Sequence, residues 1–199
     1  MITERKDIQL DHRVISDLIE SKSTVLDLGC GSGDLLHLLI KEKKIRGQGI
    51  EIDDQAIYKC VAKGLNVFHG DIDSGLAEFS DKSFDYVVLN QSMQQILHVD
   101  KVLTDALRVG KKVIVGFPNF AYYKSRLQMF FQGRSPVTAS LPYQWYETPN
   151  LHFLSISDFK EYCRKKKINI QRSVCIGQKY KVLWLPNLFA QVGIFLILK

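Results

Sequence analysis

The sequence predicts an α/β fold: an open, mostly parallel sheet of seven strands, one of them antiparallel, with helices on both faces. Three observations predict it. An apolar run, Val25-Leu26-Asp27-Leu28, feeds a turn with glycine at every second position (Gly29, Gly31, Gly33), and an apolar helical pattern follows with Leu35, Leu36, Leu38, Leu39 and Ile40. A carboxylate, Glu51, ends the next apolar run 24 residues after Asp27, the spacing of a β-α-β unit whose second strand tip lies beside the first loop. Short apolar runs then alternate with amphipathic segments as far as Phe117, and two more apolar segments close the chain, the pattern of a parallel sheet with crossover helices. Such a sheet is Rossmann-like. The 199 residues suffice for one domain, 1–199, with a full core and no staples.

In order, Ile8, Val14, Ile15, Leu18 and Ile19 fall near a 3.6-residue period and predict a helix over 8–20. The first strand runs from Thr24 to Leu28, and a helix from about Ser32 to Lys43. The second strand covers Gly47–Asp53. Asp53 or Asp54 caps the next helix, Gln55 to Lys63, which Gly64 ends. Leu65–Ile72 reads as the third strand and its loop, and Ser83–Gln91 as the fourth strand. A helix around 101–108 and a strand at 112–117 follow, ending at Pro118-Asn119. Residues 118–157 form an irregular, aromatic-rich insertion in which Leu127, Met129 and Phe130 read as helix packing. Ser157 is the expected N-cap of a helix over 158–166. Segments 168–176 and 192–198 suit the strand pair that completes the sheet.

The glycine turn carries the first functional signal. Glycine lets backbone N–H groups approach a ligand, because it has no Cβ and tolerates positive φ. Dinucleotide binders favour G-x-G-x-x-G, with pyrophosphate on the helix N-terminus. Here the third glycine comes one residue earlier, and Asp27 precedes the first by two. A carboxylate there repels a pyrophosphate and attracts a cation. The stretch resembles the (D/E)-x-G-x-G-x-G loop of class I methyltransferases, which bind S-adenosylmethionine (SAM) or S-adenosylhomocysteine. That resemblance implies a Rossmann-like class I methyltransferase fold. It also implies a cofactor site of Asp27, Gly29 and Gly31 around the methionine part, Glu51 at the ribose and Asp71 with Ile72 at adenine, with Cys30, Ile52 and Asn90 as further cofactor contacts. Glu51 alone does not separate SAM from NAD, since both present ribose hydroxyls.

Composition narrows the partners. The net charge is +6, yet residues 1–150 hold 18 Lys and Arg against 19 Asp and Glu, while 151–199 hold 9 against 2. The sharpest basic run, Arg164-Lys165-Lys166-Lys167, reads as a solvated helix end. Nucleic-acid binding ranks last, because these charges are not interleaved with a stacking platform. Cys30, Cys60, Cys163 and Cys175 have no C-x-x-C spacing, so a metal site is not expected and reduced thiols in a cytoplasmic chain are. No run reaches the ~18 apolar residues of a membrane span, and no signal peptide is expected.

The longer blocks carry a closer resemblance. Val25–Gly31, Gly49–Asp53, Ser83–Leu89, Gly116–Phe120, Leu185–Ala190 and above all Leu141-Pro142-Tyr143-Gln144-Trp145-Tyr146-Glu147-Thr148-Pro149-Asn150-Leu151-His152 resemble the MetW methionine-biosynthesis family. The resemblance implies a bacterial, cytoplasmic protein acting beside homoserine O-acyltransferase. On this basis Asn119, Tyr143, Trp145 and Asn150 are candidates for substrate or partner contact. The catalytic half is sparse. Leu89-Asn90-Gln91-Ser92 is not the Asn/Asp-Pro-Pro-aromatic motif of amino-group methyltransferases, and His152, with His98 behind it, is the candidate base. Three readings follow: an accessory SAM-binding protein of methionine biosynthesis, an active small-molecule methyltransferase, and a nucleic-acid binder through the basic C-terminal part.

Overall fold

The computed structural model describes residues 9–199. Its centre is a seven-stranded sheet with the order β3-β2-β1-β4-β5-β7-β6. The strands are β1 (Thr24–Leu28), β2 (Arg46–Glu51), β3 (Val67–His69), β4 (Phe84–Asn90), β5 (Gly110–Pro118), β6 (Asn169–Ile176) and β7 (Val192–Leu198). β1 to β5 pair in parallel, and β7 runs antiparallel to both its neighbours, β5 and β6. The helices are α1 (Leu10–Leu18), α2 (Asp34–Lys43), α3 (Asp54–Ala62), α4 (Val99–Val109), α5 (Tyr123–Gln132), α6 (Ile156–Lys165) and the short α7 (Pro186–Phe189).

Successive strand residues point to opposite faces, and the core divides accordingly. Leu26, Leu28, Val87, Leu89, Val113, Val115, Phe117, Phe195 and Ile197 pack with α4 and α6. Val25, Tyr86, Val88, Ile114, Ile194 and Leu196 pack with α1 and α2. Both faces of the central strands are therefore apolar, and their sequences read as continuous hydrophobic runs.

Several local expectations shift. The first helix starts at Leu10, and Ile8 lies outside the described residues. β3 has only three residues, and a 3-10 turn, Ile72–Ser74, follows it. The cap of α6 is Ser155, not Ser157: its hydroxyl accepts the Asp158 N–H while the Asp158 carboxylate accepts the Ser155 N–H. The reciprocal capping box satisfies two helix-end donors, which Ser157 could not do from inside the first turn. Leu127, Met129 and Phe130 are exposed rather than packed under α5.

Asn119 ends β5 as an internal anchor. Its side-chain N–H2 donates to the Asn187 and Ala190 carbonyls at 3.1 and 2.8 Å, and its Oδ1 accepts the Ala121 and Ile156 N–H groups. It is 0% exposed. All its capacity is spent joining β5, α6 and the segment before β7, so the geometry gives it a positioning task rather than ligand contact.

Candidate functional site

The C-terminal ends of β1, β2 and β4 open into a cleft of about 660 Å³. In an open parallel sheet this is the edge where ligands bind. Asp27 and Glu51 lie at the strand tips, Gly29 and Gly31 form one wall, and Ile52, Asp71 and Ile72 another. Asn90 and Cys30 also line the cleft, so every cofactor residue expected from the sequence converges there.

The glycine loop is built differently from the expectation of bare N–H groups. The Gly29 and Cys30 N–H groups both donate to Ile50 O, at 2.9 and 3.1 Å, and Gly33 N–H donates to Cys30 O. Gly31 N–H donates to Glu51 Oε2 at 2.7 Å. Four of the five N–H groups from Gly29 to Gly33 are thus bonded within the protein, leaving little to cradle a phosphate. The glycines serve shape instead. Gly29 has φ +71, and a Cβ on it would lie 2.8 Å from the Ser92 Cβ. Gly31 has φ +52, and a Cβ there would meet nothing within 4 Å. Its bare backbone leaves space on the cleft side for a ligand.

The electrostatics select against anions. Asp27 and Glu51 at the base and Asp11, Asp34, Asp53, Asp71 and Asp73 around the rim give seven lining carboxylates, and no Lys or Arg lines the cleft among the described residues. Glu51, 9% exposed, is held by three N–H donors: Gly31, Ile52 at 2.9 Å and Asp53 at 3.0 Å. Its carboxylate has about four acceptor positions, of which three are used, so one on Oε2 remains open to a hydroxyl donor. Asp27 is 3% exposed, and among the described residues no donor bonds its carboxylate. Burial, reinforced by the Glu51 carboxylate, pushes Asp27 up to about 7. A cationic ligand group beside Asp27 would relieve both effects. Burial likewise raises the Cys30 thiol, which is therefore a space-filling group against Gly49 and not a nucleophile at neutral pH.

Some contributors carry no sequence signal. Gln9, Asp11 and His12 reach the cleft from the start of α1. Asp11 Oδ2 accepts the Asn90 side-chain N–H at 3.0 Å, and Asn90 Oδ1 is buried without a partner among the described residues. Ser92 bonds Leu28 O and walls Gly29. An acidic residue in a first helical turn is ordinary, so only the fold shows where Asp11 points.

The family-specific block sits outside the cleft. Tyr143, Trp145 and His152 are exposed, Asn150 is half-buried, and none lines the cleft. Its end is nonetheless tied to the cleft mouth, because Leu151 and His152 donate their N–H groups to Gln94 O at 2.8 and 3.0 Å. Gln91, in the turn joining β4 to Gln94, has φ +59, a strained value for a non-glycine residue.

The model of the family described as "Methionine biosynthesis protein MetW" matches residues 9–197. The chain belongs to the MetW family. It is similar to the bifunctional methionine biosynthesis protein MetXA/MetW of Rhodopirellula baltica, 33% identical over 94% of this chain. The chain spans 32% of that relative's length. Solved structures of similar fold include an S-adenosylmethionine-dependent methyltransferase from Mesorhizobium loti (TM-score 0.70, 11% identity, 94% of this chain and 96% of that one). Another is a SAM-dependent methyltransferase, possibly acting on histamine, from Thermotoga maritima (TM-score 0.69, 19% identity, 95% and 88%). At these identities the likeness speaks to fold. No helix among the described residues is long and apolar enough to cross a membrane, and no group of three potential metal ligands occurs among them.

Proposed function

We propose that this chain binds S-adenosylmethionine in the acid-lined cleft and serves methionine biosynthesis as a companion of homoserine O-acyltransferase. One observation carries the cofactor assignment: a buried Asp27 that no donor bonds among the described residues, at the base of a cleft that those residues line with carboxylates and no Lys or Arg. A pyrophosphate would meet only repulsion there, whereas an ammonium and a sulfonium would be stabilised. In this reading Asp27 takes the ammonium, Glu51 accepts a ribose hydroxyl, Asp71 accepts the adenine amino group, and Ile52 and Ile72 cover the ring. Gly29, Cys30, Gly31 and Asn90 shape the methionine end. The cofactor, when bound, would supply an activated methyl group. The partnership is supported by the MetXA/MetW relative, whose name joins two methionine-biosynthesis functions in one chain. Four free thiols support a reducing, cytoplasmic setting.

A second reading, methyl transfer to a small acceptor, is favoured by a pair at the cleft rim. His98 Nδ1 lies 3.4 Å from Asp73 Oδ1, and Asp73 lines the cleft. An imidazole oriented by a carboxylate could accept a proton from an acceptor, with alignment supplying most of the catalysis. His98 and His152 are both exposed and outside the cleft lining, and it is the Asp73 contact that ranks His98 above His152.

Calorimetry with SAM, S-adenosylhomocysteine and NAD tests the cofactor. Binding of NAD without SAM would overturn the assignment. Homoserine acylation, measured with the acyltransferase alone and with this chain added, separates companion from independent enzyme.

A further inference from the structure

Most of the basic run at 164–167 is paired within the protein, whereas a group of cations near the start of α5 and before α7 is not. Arg164 and Lys165 both pair with Glu161, and Lys166 pairs with Asp100 at 2.7 Å. Lys124, Arg126, Lys179 and Lys181 are exposed, and none of them pairs with a carboxylate among the described residues. They lie in the same chain segments as a run of touching aromatics, of which Tyr122 is buried, Tyr123 and Phe189 are half-buried and Trp184 is exposed. Tyr122 and Tyr123 have ring centroids 4.7 Å apart, Tyr123 and Phe189 6.1 Å, and Phe189 and Trp184 5.6 Å. At its crest Leu183 is 93% exposed and Trp184 71%.

The crest is held, not loose. Asn119 bonds the Asn187 and Ala190 carbonyls beneath it, and the Arg126 guanidinium donates to Ala121 O and Asn187 O. Leu185 is fixed at φ +41, a left-handed conformation that costs energy in a branched residue. The chain therefore spends stability to keep an aliphatic and an indole side chain in water. Exposed aromatic and apolar anchors within a ring of charge are the composition of a protein-binding hot spot.

We propose that this ridge, with the cations around it, is the docking face for an acidic, apolar patch on homoserine O-acyltransferase; the inference rests on the partnership reading above. Charge argues against a second copy of this chain as the occupant, since Lys179 and Lys181 would face like charges across a two-fold axis. Ring geometry argues against a nucleic acid. Trp184 and Phe189 stack on each other at 20°, which occupies faces that bases would need. The face involves none of the residues that line the cleft, so cofactor and partner can be bound together.

The test uses the full chain and the intact acyltransferase, with affinity measured by calorimetry at low and moderate salt. Two variants probe the face independently: Leu183→Ser with Trp184→Ala, and Lys179→Glu with Lys181→Glu. A control, Tyr58→Ala with Val61→Ser, alters an exposed apolar patch on α3. The expected result is a loss of at least about tenfold for each face variant, with steeper salt dependence in wild type than in the charge-reversed variant. SAM affinity and the control should be unchanged. Wild-type association that the face variants do not weaken overturns the surface alone. If wild type does not associate at all, the partnership falls and takes the surface with it, while SAM binding still stands as a separate result. Face variants that instead dissolve a homodimer, or abolish salt-dependent oligonucleotide binding, overturn the proposal by naming a different occupant.

Discussion

The two ends of the sheet solve opposite problems. Around β1, β2 and β3 the chain turns carboxylates inward and keeps the loop's N–H groups occupied by its own carbonyls and by Glu51. Beyond β5 it turns aromatics and cations outward, and Lys124, Arg126, Lys179 and Lys181 have no carboxylate partner among the described residues. Residues 1–110 hold 13 Lys and Arg against 18 Asp and Glu, and residues 111–199 hold 14 against 3. The comparison teaches that the net charge of +6 describes neither region. One part is proposed to hold a cationic ligand, and the other is proposed to dock a protein partner.

Removing Glu51 should break the comparison most severely. Glu51→Ala deletes the acceptor for the Gly31, Ile52 and Asp53 N–H groups as well as the proposed ribose contact. Loss of charge-assisted bonds worth about 2–3 kcal/mol should weaken SAM binding by on the order of 100-fold in calorimetry. Binding to the acyltransferase should not change, because no residue of the distal ridge is touched.

Asp27 gives the next effect, through pH. Its carboxyl is raised in the folded chain to about 7, with burial as the first cause. Below that value it is protonated and cannot pair with an ammonium. SAM affinity should therefore be level above pH 7 and fall by up to about tenfold per unit below it. Asp27→Asn should abolish that dependence. The sign for the unliganded chain is opposite: a raised acid pKa means stability is lost as pH rises from the ordinary carboxylate value through about 7. The Asn variant should then be the more stable of the two near pH 8 in urea unfolding. A pH-independent affinity in wild type would show that Asp27 does not meet the ligand's charge.

Smaller effects compare how firmly each region is fastened. Asp85 accepts the Thr24 N–H at 2.8 Å and the Thr24 hydroxyl at 2.9 Å, and pairs with Lys111 at 2.9 Å, clamping β1 to β4. The Lys111 ammonium, with the Thr24 N–H, holds its carboxyl down at about 2. Asp85→Ala should cost about 1–2 kcal/mol at neutral pH, and the difference from wild type should vanish as pH falls from about 4 toward 2. Ser155→Ala, which removes the cap of α6, should cost about 1 kcal/mol in the same assay.

Legibility from sequence follows the same division. Asp27, Glu51 and the glycine phase were readable because the β-α-β unit fixes where strand tips fall, so spacing alone carried them to one cleft. The loop's bonding was not readable, since a glycine pattern is silent on which acceptor each N–H finds. Past Pro118 the apolar residues misled: Leu127, Met129 and Phe130 look like a packed stripe, yet they face solvent. Hydrophobicity marks a surface that wants a neighbour without saying whether that neighbour belongs to the same chain. Ser155 and Ser157 differ only in that Asp158 is three residues from one and adjacent to the other, and that spacing was the available clue.

The bond from Gly31 N–H to Glu51 Oε2 has a further consequence. It fixes the shape of the loop through the same carboxylate that is proposed to meet the ribose. Much of the loop's conformational freedom is already given up in the folded chain, and an arriving ligand has correspondingly little ordering left to oppose it. It also sets the length of the side chain: an aspartate at 51 would be one methylene short of either the loop or the ligand. The choice of glutamate is thus a matter of reach as much as charge.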